Sequence, residues 1–488
     1  MRELTTWTLV SLKDIAQWGS GGTPSRKNAS YYDGNIPWVK TGDLGPRVLN
    51  NSNEHITEEA IVKSSAKLFP KGSVAIAMYG ATIGKTSILG MEATTNQACA
   101  VGNPVEGVTV SEFLYYLLLN ARDSFISLGK GGAQPNISQT LIKDYEVYLP
   151  PLAEQKVVAE KLDTLLAQVE ATKARLESTL ETLKQFRQSV LAAAVSGKLT
   201  EDWRSQNPSL DSIELSEVGA YWAEQYKTSG KRLPKLKLHE TEALDGLPNT
   251  WLDTKIGHVF DVHVGATPSR SNNDYWGGGV NWISSSEVAF CRISSTKETI
   301  TESGLNNTST NLHPPGTVML AMIGQGKTRG QAAILDIEAC HNQNTAALRV
   351  PEGFAVSEFL YFFLTKQYEE TRRVGGGNNQ KALNKSFVQS LQFPLPPIEE
   401  QKEIVKCVEK LFAGADATEQ QVNQALERVN NLTQSILAKA FRGELTDQWR
   451  KENPELISGE NSAEALLKKL KADRAAAKPK GKTRKVNA

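Results

Sequence analysis

Gly80 to Thr86 reads GATIGKT, the glycines, lysine and threonine from which a nucleotide phosphate loop is built. Such a loop needs four residues between its glycines so that backbone N–H groups can wrap the phosphates, and only Ala81, Thr82 and Ile83 intervene. The related GQGKTRG from Gly324 fails the same spacing. Lys85, Lys327 and Arg329 read instead as cations for a nucleic-acid backbone, or as plain surface charge. Cys99, Cys291, Cys340 and Cys407 are scattered without a CxxC pair, and Cys340 beside His341 reads as an incidental strand-end pairing. The amino-methyltransferase Asn/Asp-Pro-Pro-aromatic motif, a GxGxxG after a strand, a GxSxG elbow and HExxH are all missing. The expectation is a chain that catalyses nothing by itself and holds no metal.

Two loops carry a different chemistry. Gly129 to Asn136 contains Lys130, Gln134 and Asn136, and Arg372 to Lys381 contains Arg372, Arg373, Asn378, Asn379 and Gln380. Asn and Gln amides pair with adenine, Arg and Lys with guanine, and glycines admit a phosphate close to the backbone. The same composition also suits an ordinary flexible loop.

These residues must be placed by elements that occur twice. Leu149 to Pro208 aligns without a gap to Leu395 to Pro454, and about 24 of the 60 aligned positions are identical. LPPLAEQK at Leu149 answers LPPIEEQK at Leu395, and SGKLTEDWRSQNP answers RGELTDQWRKENP. The likeness continues more weakly upstream: the stretch from Ser20 answers that from Val264, and VSEFLYYLL from Val110 answers VSEFLYFFL from Val356. A period near half the chain is a duplicated domain pair, since solenoid repeats run to only about 20–50 residues.

Within the better-matched copies, Leu162, Val169, Leu176, Leu183 and Val190 recur at seven-residue spacing, as do Val408, Ala415, Val422, Val429 and Ile436. Leu165, Leu180, Leu411 and Leu426 flank that seam. The pattern predicts two coiled-coil-grade helices, each opening after a Pro-Pro pair at Pro150-Pro151 or Pro396-Pro397 and closing near Gly197 or Gly443. Roughly 40 residues at 1.5 Å each give a rod of about 60 Å, a spacer unless it packs into a globular core.

Each variable module reads as mixed strand and helix. Ser73–Met78 and Thr317–Met322 are β-rich runs, and the segments after Ser111 and Ser357 read as buried helices capped by those serines. The chain has 488 residues and a net charge of +1, with the positive excess gathered from Asn461 onward. No apolar run nears the ~20 residues of a membrane span, and the N-terminus lacks signal-peptide architecture, so a cytoplasmic chain is expected.

Two variable modules alternating with two similar helical segments resemble the specificity subunits of Type I restriction-modification systems. LPPLAEQK and LPPIEEQK with their following helices carry the resemblance, together with GTPSR at Gly22 and ATPSR at Ala266. It implies a mixed α/β fold in which two similar recognition domains alternate with two long coiled-coil-like helices in a pseudo-two-fold tandem duplication. The expected divisions are a recognition domain at 1–150, a helical spacer at 151–205, a linker with a short helix at 206–246, a second recognition domain at 247–397, a second spacer at 398–451 and a basic, flexible tail at 452–488.

The resemblance further implies that each domain reads one half of a bipartite target in double-stranded DNA. The helices would act as ruler and docking surface for two modification subunits, which carry S-adenosylmethionine and methylate adenine at N6. Two restriction subunits would add ATP/Mg-dependent translocation and cleavage, leaving no cofactor on this chain. Residues identical in both modules cannot distinguish unlike half-sites, so Thr23/Thr267, Pro24/Pro268, Ser25/Ser269, Arg26/Arg270 and Trp38/Trp282 build the fold or grip phosphates. Aligned but different pairs, Lys27/Ser271, Lys40/Ser284, Thr41/Ser285 and Tyr79/Ile323, are candidates for base readout alongside the Asn and Gln loops. A protein-binding module with dimerising helices and an NTPase using the Gly80 loop remain the competing readings.

Overall fold

The computed structural model describes residues 6–129, 136–324, 327–373 and 383–476. The chain divides into two compact units, one holding residues up to Glu177 together with those from Gln424 onward, the other holding Ser178–Asn423. The boundary falls inside both long helices.

In the first module a five-stranded sheet runs in the order Ala16–Ser20, Cys99–Pro104, Val74–Ala77, Thr86–Leu89 and Val48–Leu49. A four-stranded sheet is built on Tyr32–Val39, and Thr8–Ser11 pairs antiparallel with Glu146–Leu149, Thr8 facing Leu149. The second module repeats the order with Asp261–Val264, Thr345–Arg349, Val318–Ala321, Ala332–Leu335 and Cys291–Ile293, and Leu252–Lys255 pairs with Gln392–Leu395. The central strand explains why both its faces are apolar. Side chains alternate across a sheet, so Val74 and Ile76 join the core under helix Ser111–Asn120 while Ala75 and Ala77 join a second core with Val39 and Leu89. Val318 and Leu320 divide from Met319 and Ala321 in the same way.

The helices after Val110 and Val356 are buried as expected, with Phe113, Leu114, Phe359 and Leu360 fully covered. Their predicted serine caps are not formed. Val110 and Val356 occupy the cap positions, and neither makes a side-chain cap bond. A glutamine from the following long helix takes over: Val356 N donates to Gln401 Oε1 at 2.9 Å and Val110 N to Gln155 Oε1 at 3.3 Å. Ser357 instead donates to Gly316 O at 2.6 Å.

The long helices are Leu152–Val195 and Ile398–Phe441, 44 residues each. Gly197 at φ 76° and Gly443 at φ 71° follow their ends in the left-handed region that a residue with Cβ adopts only with strain. Leu162, Val169, Val190, Val408, Ala415, Val422 and Val429 are buried, whereas Leu176, Leu183 and Ile436 are half-buried. In the first unit, Val158, Ala159 and Leu162 near the start of the first helix share a core with Leu437 and Ala440 near the end of the second. In the second unit, Val190, Leu191 and Ala194 share a core with Ile404 and Val408, and Arg187 bonds Asp416 and Glu419 at 2.5 and 2.7 Å. Each unit therefore pairs a helix start with a helix end, an antiparallel arrangement.

The expected flexible tail from 452 requires correction as far as residue 476, and its remainder, 477–488, lies outside the described residues. Ala463–Ala476 is a 14-residue helix, and Leu467 and Ala463 are buried, Leu467 within the first unit's core. Its counterpart in the second unit is the 14-residue linker helix Leu215–Thr228, which buries Val218 and Trp222 at the same i, i+4 spacing. Trp222 Nε1 donates to Val259 O at 2.8 Å. The tail helix holds because it presents an apolar face, which its lysine-rich composition obscured.

Around Gly80 the backbone forms a short 3-10 turn, Gly80–Thr82, and then enters strand Thr86–Leu89. A phosphate loop leads into a helix whose N-terminal N–H groups meet the anion, and no helix follows here. Among the described residues, no helix is long and apolar enough to cross a membrane.

Candidate nucleic-acid interface

The residues identical in both modules assemble one motif twice. Trp38 Nε1 donates to Gly22 O at 3.0 Å, and Trp282 Nε1 to Ala266 O at 3.2 Å, fixing the Thr-Pro-Ser-Arg loop against the sheet. The Arg26 guanidinium then lies 4.4 Å from the Tyr32 ring centroid and pairs with Glu54 at 2.6 Å. Arg270 lies 3.7 Å from the Trp276 centroid and pairs with Glu298 through both Nη atoms, the Nη2 bond at 2.8 Å. The carboxyl of Glu54 is held below the usual range by hydrogen bonding first to Lys40 and then to Arg26, and that of Glu298 by Arg270. An arginine already paired and stacked braces the loop, with less charge left for a phosphate. Ser25 and Ser269 remain exposed beside it.

The aligned but different positions scatter over several local roles. Lys27 and Ser271 are exposed, and the Ser271 hydroxyl is 2.8 Å from that of Ser269. Lys40 bonds Glu54, and its backbone N donates to Asp43 at 2.8 Å. Ser284 forms a capping box with Glu287 at a 3-10 turn, so its hydroxyl is engaged within the module. Thr41 and Ser285 are half-buried.

Tyr79 and Ile323 follow the buried central strands and are exposed. Tyr79 forms an isolated bridge with Asn136, which brings two sequence candidates together. Lys85 and Lys327 are exposed, and neither makes an ion pair among the described residues. Arg329 is a correction. It is buried, and its Nη2 donates to Arg372 O at 2.6 Å, near the end of helix Tyr368–Arg373, where unsatisfied carbonyls favour a cation. Arg372 donates to Tyr368 Oη at 2.8 Å. Lys130, Gln134, Asn378, Asn379, Gln380 and the Arg373 side chain lie outside the described residues.

Sequence reasoning missed a second constellation. Glu154, fully buried at the start of the first long helix, accepts from Trp7 Nε1 at 3.0 Å and Thr446 Oγ1 at 2.6 Å, and also from Arg450 Nη1. Arg450 Nη2 continues to Gly443 O at 2.6 Å. In the other unit Glu400 accepts from Trp251 Nε1 at 2.8 Å, Thr200 Oγ1 at 2.7 Å and Arg204 Nη1, while Arg204 Nη2 reaches Gly197 O at 2.9 Å. Each buried carboxylate thus has three donors, the condition under which a buried charge is tolerated. The available signal was the recurrence of Glu, Thr, Arg and Trp at equivalent positions off the apolar seam.

Comparison with known proteins adds an independent line. The family model for the Type I restriction modification DNA specificity domain matches twice, over residues 5–182 and 248–428. The EcoDI specificity subunit of Escherichia coli is 36% identical over 486 residues, covering 98% of each chain. The EcoKI specificity subunit of Escherichia coli strain K12 is 33% identical over 504 residues, again covering 98% of each. A chain solved in work on complex assembly and conformational transition of the type I R-M system superposes with a TM-score of 0.66 at 18% identity, covering 90% of this chain and 98% of that one. The HsdS subunit from Thermoanaerobacter tengcongensis gives 0.57 at 18% identity with the same coverage. At that identity the structural likeness bears on fold.

Proposed function

The chain belongs to the Type I restriction-modification DNA specificity family, and from that premise we propose that it reads a bipartite DNA target, one half-site per module. The observation that carries this reading is the doubling itself: two family matches in tandem, with a shared frame and different exposed rims. A frame common to both modules suits sequence-independent positioning, and the differing rim suits base readout.

Lys85 and Lys327, with Ser25 and Ser269, are the proposed phosphate contacts. Arg26 and Arg270 act mainly by bracing the loop that carries them. Lys27, Thr41, Tyr79, Asn136, Ser271 and Ser285 are the proposed base-facing positions. Lys40 and Ser284 can join them only by exchanging the internal bonds they hold.

The long helices act as ruler and as docking surface for two modification subunits, whose S-adenosylmethionine supplies the methyl group for adenine N6. Two restriction subunits bring ATP/Mg-dependent translocation and cleavage. This chain contributes recognition and assembly and has no catalytic step of its own.

Binding of the assembled chain and modification subunit to DNA with either half-site scrambled tests the division of labour. Thr41→Ala should relax sequence preference at one half-site alone. Uniform loss at every sequence, or no change, would overturn the assignment.

A further inference from the structure

A lone exposed apolar side chain is ordinary and needs no function. Recurrence at equivalent positions of two diverged copies is less ordinary, and three such pairs occur among the described residues: Leu68/Leu312, Tyr79/Ile323 and, on the long helices, Phe186/Leu432. Within the modules, Leu68/Leu312 is the same residue twice and cannot discriminate. Tyr79 and Ile323 are 40% and 41% exposed and differ in chemistry.

We propose that Tyr79 and Ile323 are equivalent base-facing side chains, and that Ile323 packs on the 5-methyl group of a thymine in the half-site of the second module. The inference rests on the bipartite reading above and adds the chemical group recognised.

Geometry favours these positions because the exposed side chain leaves a buried, hydrogen-bonded platform. Val318–Ala321 and Met322 are buried, and the chain emerges at Ile323. Met322 N and Ile323 N both donate to Asn344 O, at 2.8 and 3.3 Å, while Leu383 N donates to Met322 O at 3.2 Å. In the first module Met78 N donates to Ala98 O at 2.9 Å and Ile137 N to Met78 O at 3.0 Å. Each platform is followed by an exposed lysine, Lys85 or Lys327, suited to an adjacent phosphate. Isoleucine offers neither donor nor acceptor, and the apolar group on a major-groove base edge is the thymine methyl. Tyr79 carries a hydroxyl and an aromatic ring, so the same position reads a different edge in the first half-site.

The test uses the chain assembled with its modification subunit. Each thymine of the mapped target is replaced in turn by deoxyuracil, which removes only the methyl group, and binding is measured for the native chain and for Ile323→Ala. One substitution in the second module's half-site should weaken the native complex about four-fold, the value of one buried methyl, and should not weaken Ile323→Ala further. Ile323→Val should retain part of the effect, and thermal unfolding should show both variants folded. Absence of any sensitive thymine in that half-site, or equal sensitivity in native and Ile323→Ala complexes, overturns the proposal. Tyr79→Ala separates the two levels of inference: if it and Ile323→Ala alter the same half-site, the bipartite reading itself fails.

Discussion

Thr446 donates its hydroxyl to the buried carboxylate of Glu154 at 2.6 Å, across 292 residues of sequence. Thr200 does the same for Glu400 at 2.7 Å. The two best-matched motifs of the duplication, Glu-Gln after the Pro-Pro pair and Leu-Thr-x-x-Trp-Arg after the helix, thus meet across copies and not within one. Each unit is closed by one such clasp. Removing the Glu400 anion leaves Arg204 largely buried with the Gly197 carbonyl as its remaining acceptor among the described residues, whereas Arg450 keeps Asp447 3.7 Å away. Glu400→Ala should therefore lower stability by about 3–5 kcal/mol, read from denaturant unfolding of the second unit. In a double-mutant cycle, Glu400→Ala with Arg204→Met should cost less than the sum of the single changes; strict additivity would contradict the coupling.

The second module should lose stability in mild acid. His313 and His341 are buried with ring centroids 5.1 Å apart, and both ring nitrogens of His313 lack a hydrogen-bond partner among the described residues. Burial first, then the neighbouring histidines, lowers His313 to about 2; burial lowers His341 to about 4. Arg349 adds positive charge nearby, and the His263 ring centroid lies 5.2 Å from that of His313. The unfolded chain takes up protons on both rings below about 6.5 while the fold does not, so stability falls as pH drops from about 6.5 towards 4. The slope contributed is at most about 1.4 kcal/mol per pH unit for each ring. His313→Phe should flatten the pH dependence of unfolding, and an unchanged slope would contradict the argument.

Arg270 and Lys327 should separate bracing from phosphate contact. Arg270→Ala removes a stacked, paired side chain and should cost the second module roughly 0.5–1 kcal/mol, with little change in the salt dependence of DNA binding. Lys327→Ala should leave stability unchanged and reduce the slope of log affinity against log salt by about 0.9, one phosphate contact. The opposite pattern would exchange their roles.

The helix Ala463–Ala476 should matter for folding of the first unit. Leu467 is 5% exposed and packs in that unit's core, so Leu467→Ala should cost about 2–5 kcal/mol by thermal or urea unfolding. An effect within experimental error would contradict a packed helix and fit the flexible tail expected from the sequence.

Periodicity made the long helices readable because Leu162, Val169 and their counterparts obey a local rule of spacing, and Pro150-Pro151 and Gly197 mark ends by backbone constraints alone. The clasp was not readable in that way. Glu154 and Arg450 are charged residues whose burial depends on long-range pairing, and no local pattern says which copy supplies the partner. Identity in both modules marks Arg26 and Arg270 as parts of a shared frame, but Glu54 and Glu298, which pair with them, lie 28 residues further on, on strands that no local pattern connects to that loop. Arg329 looked like a surface cation because its acceptor is a backbone carbonyl, which leaves no mark in sequence. The tail helix was obscured by lysines on a segment whose buried positions among the described side chains are Ala463 and Leu467.

Mapping methylated adenines in cells that carry this chain and its modification subunit tests the central claim most directly. The expected result is a motif of two specified segments separated by a fixed stretch of unspecified bases, with Thr41→Ala and Ile323→Ala each altering a different segment. A single undivided motif, or one segment altered by both substitutions, would contradict it.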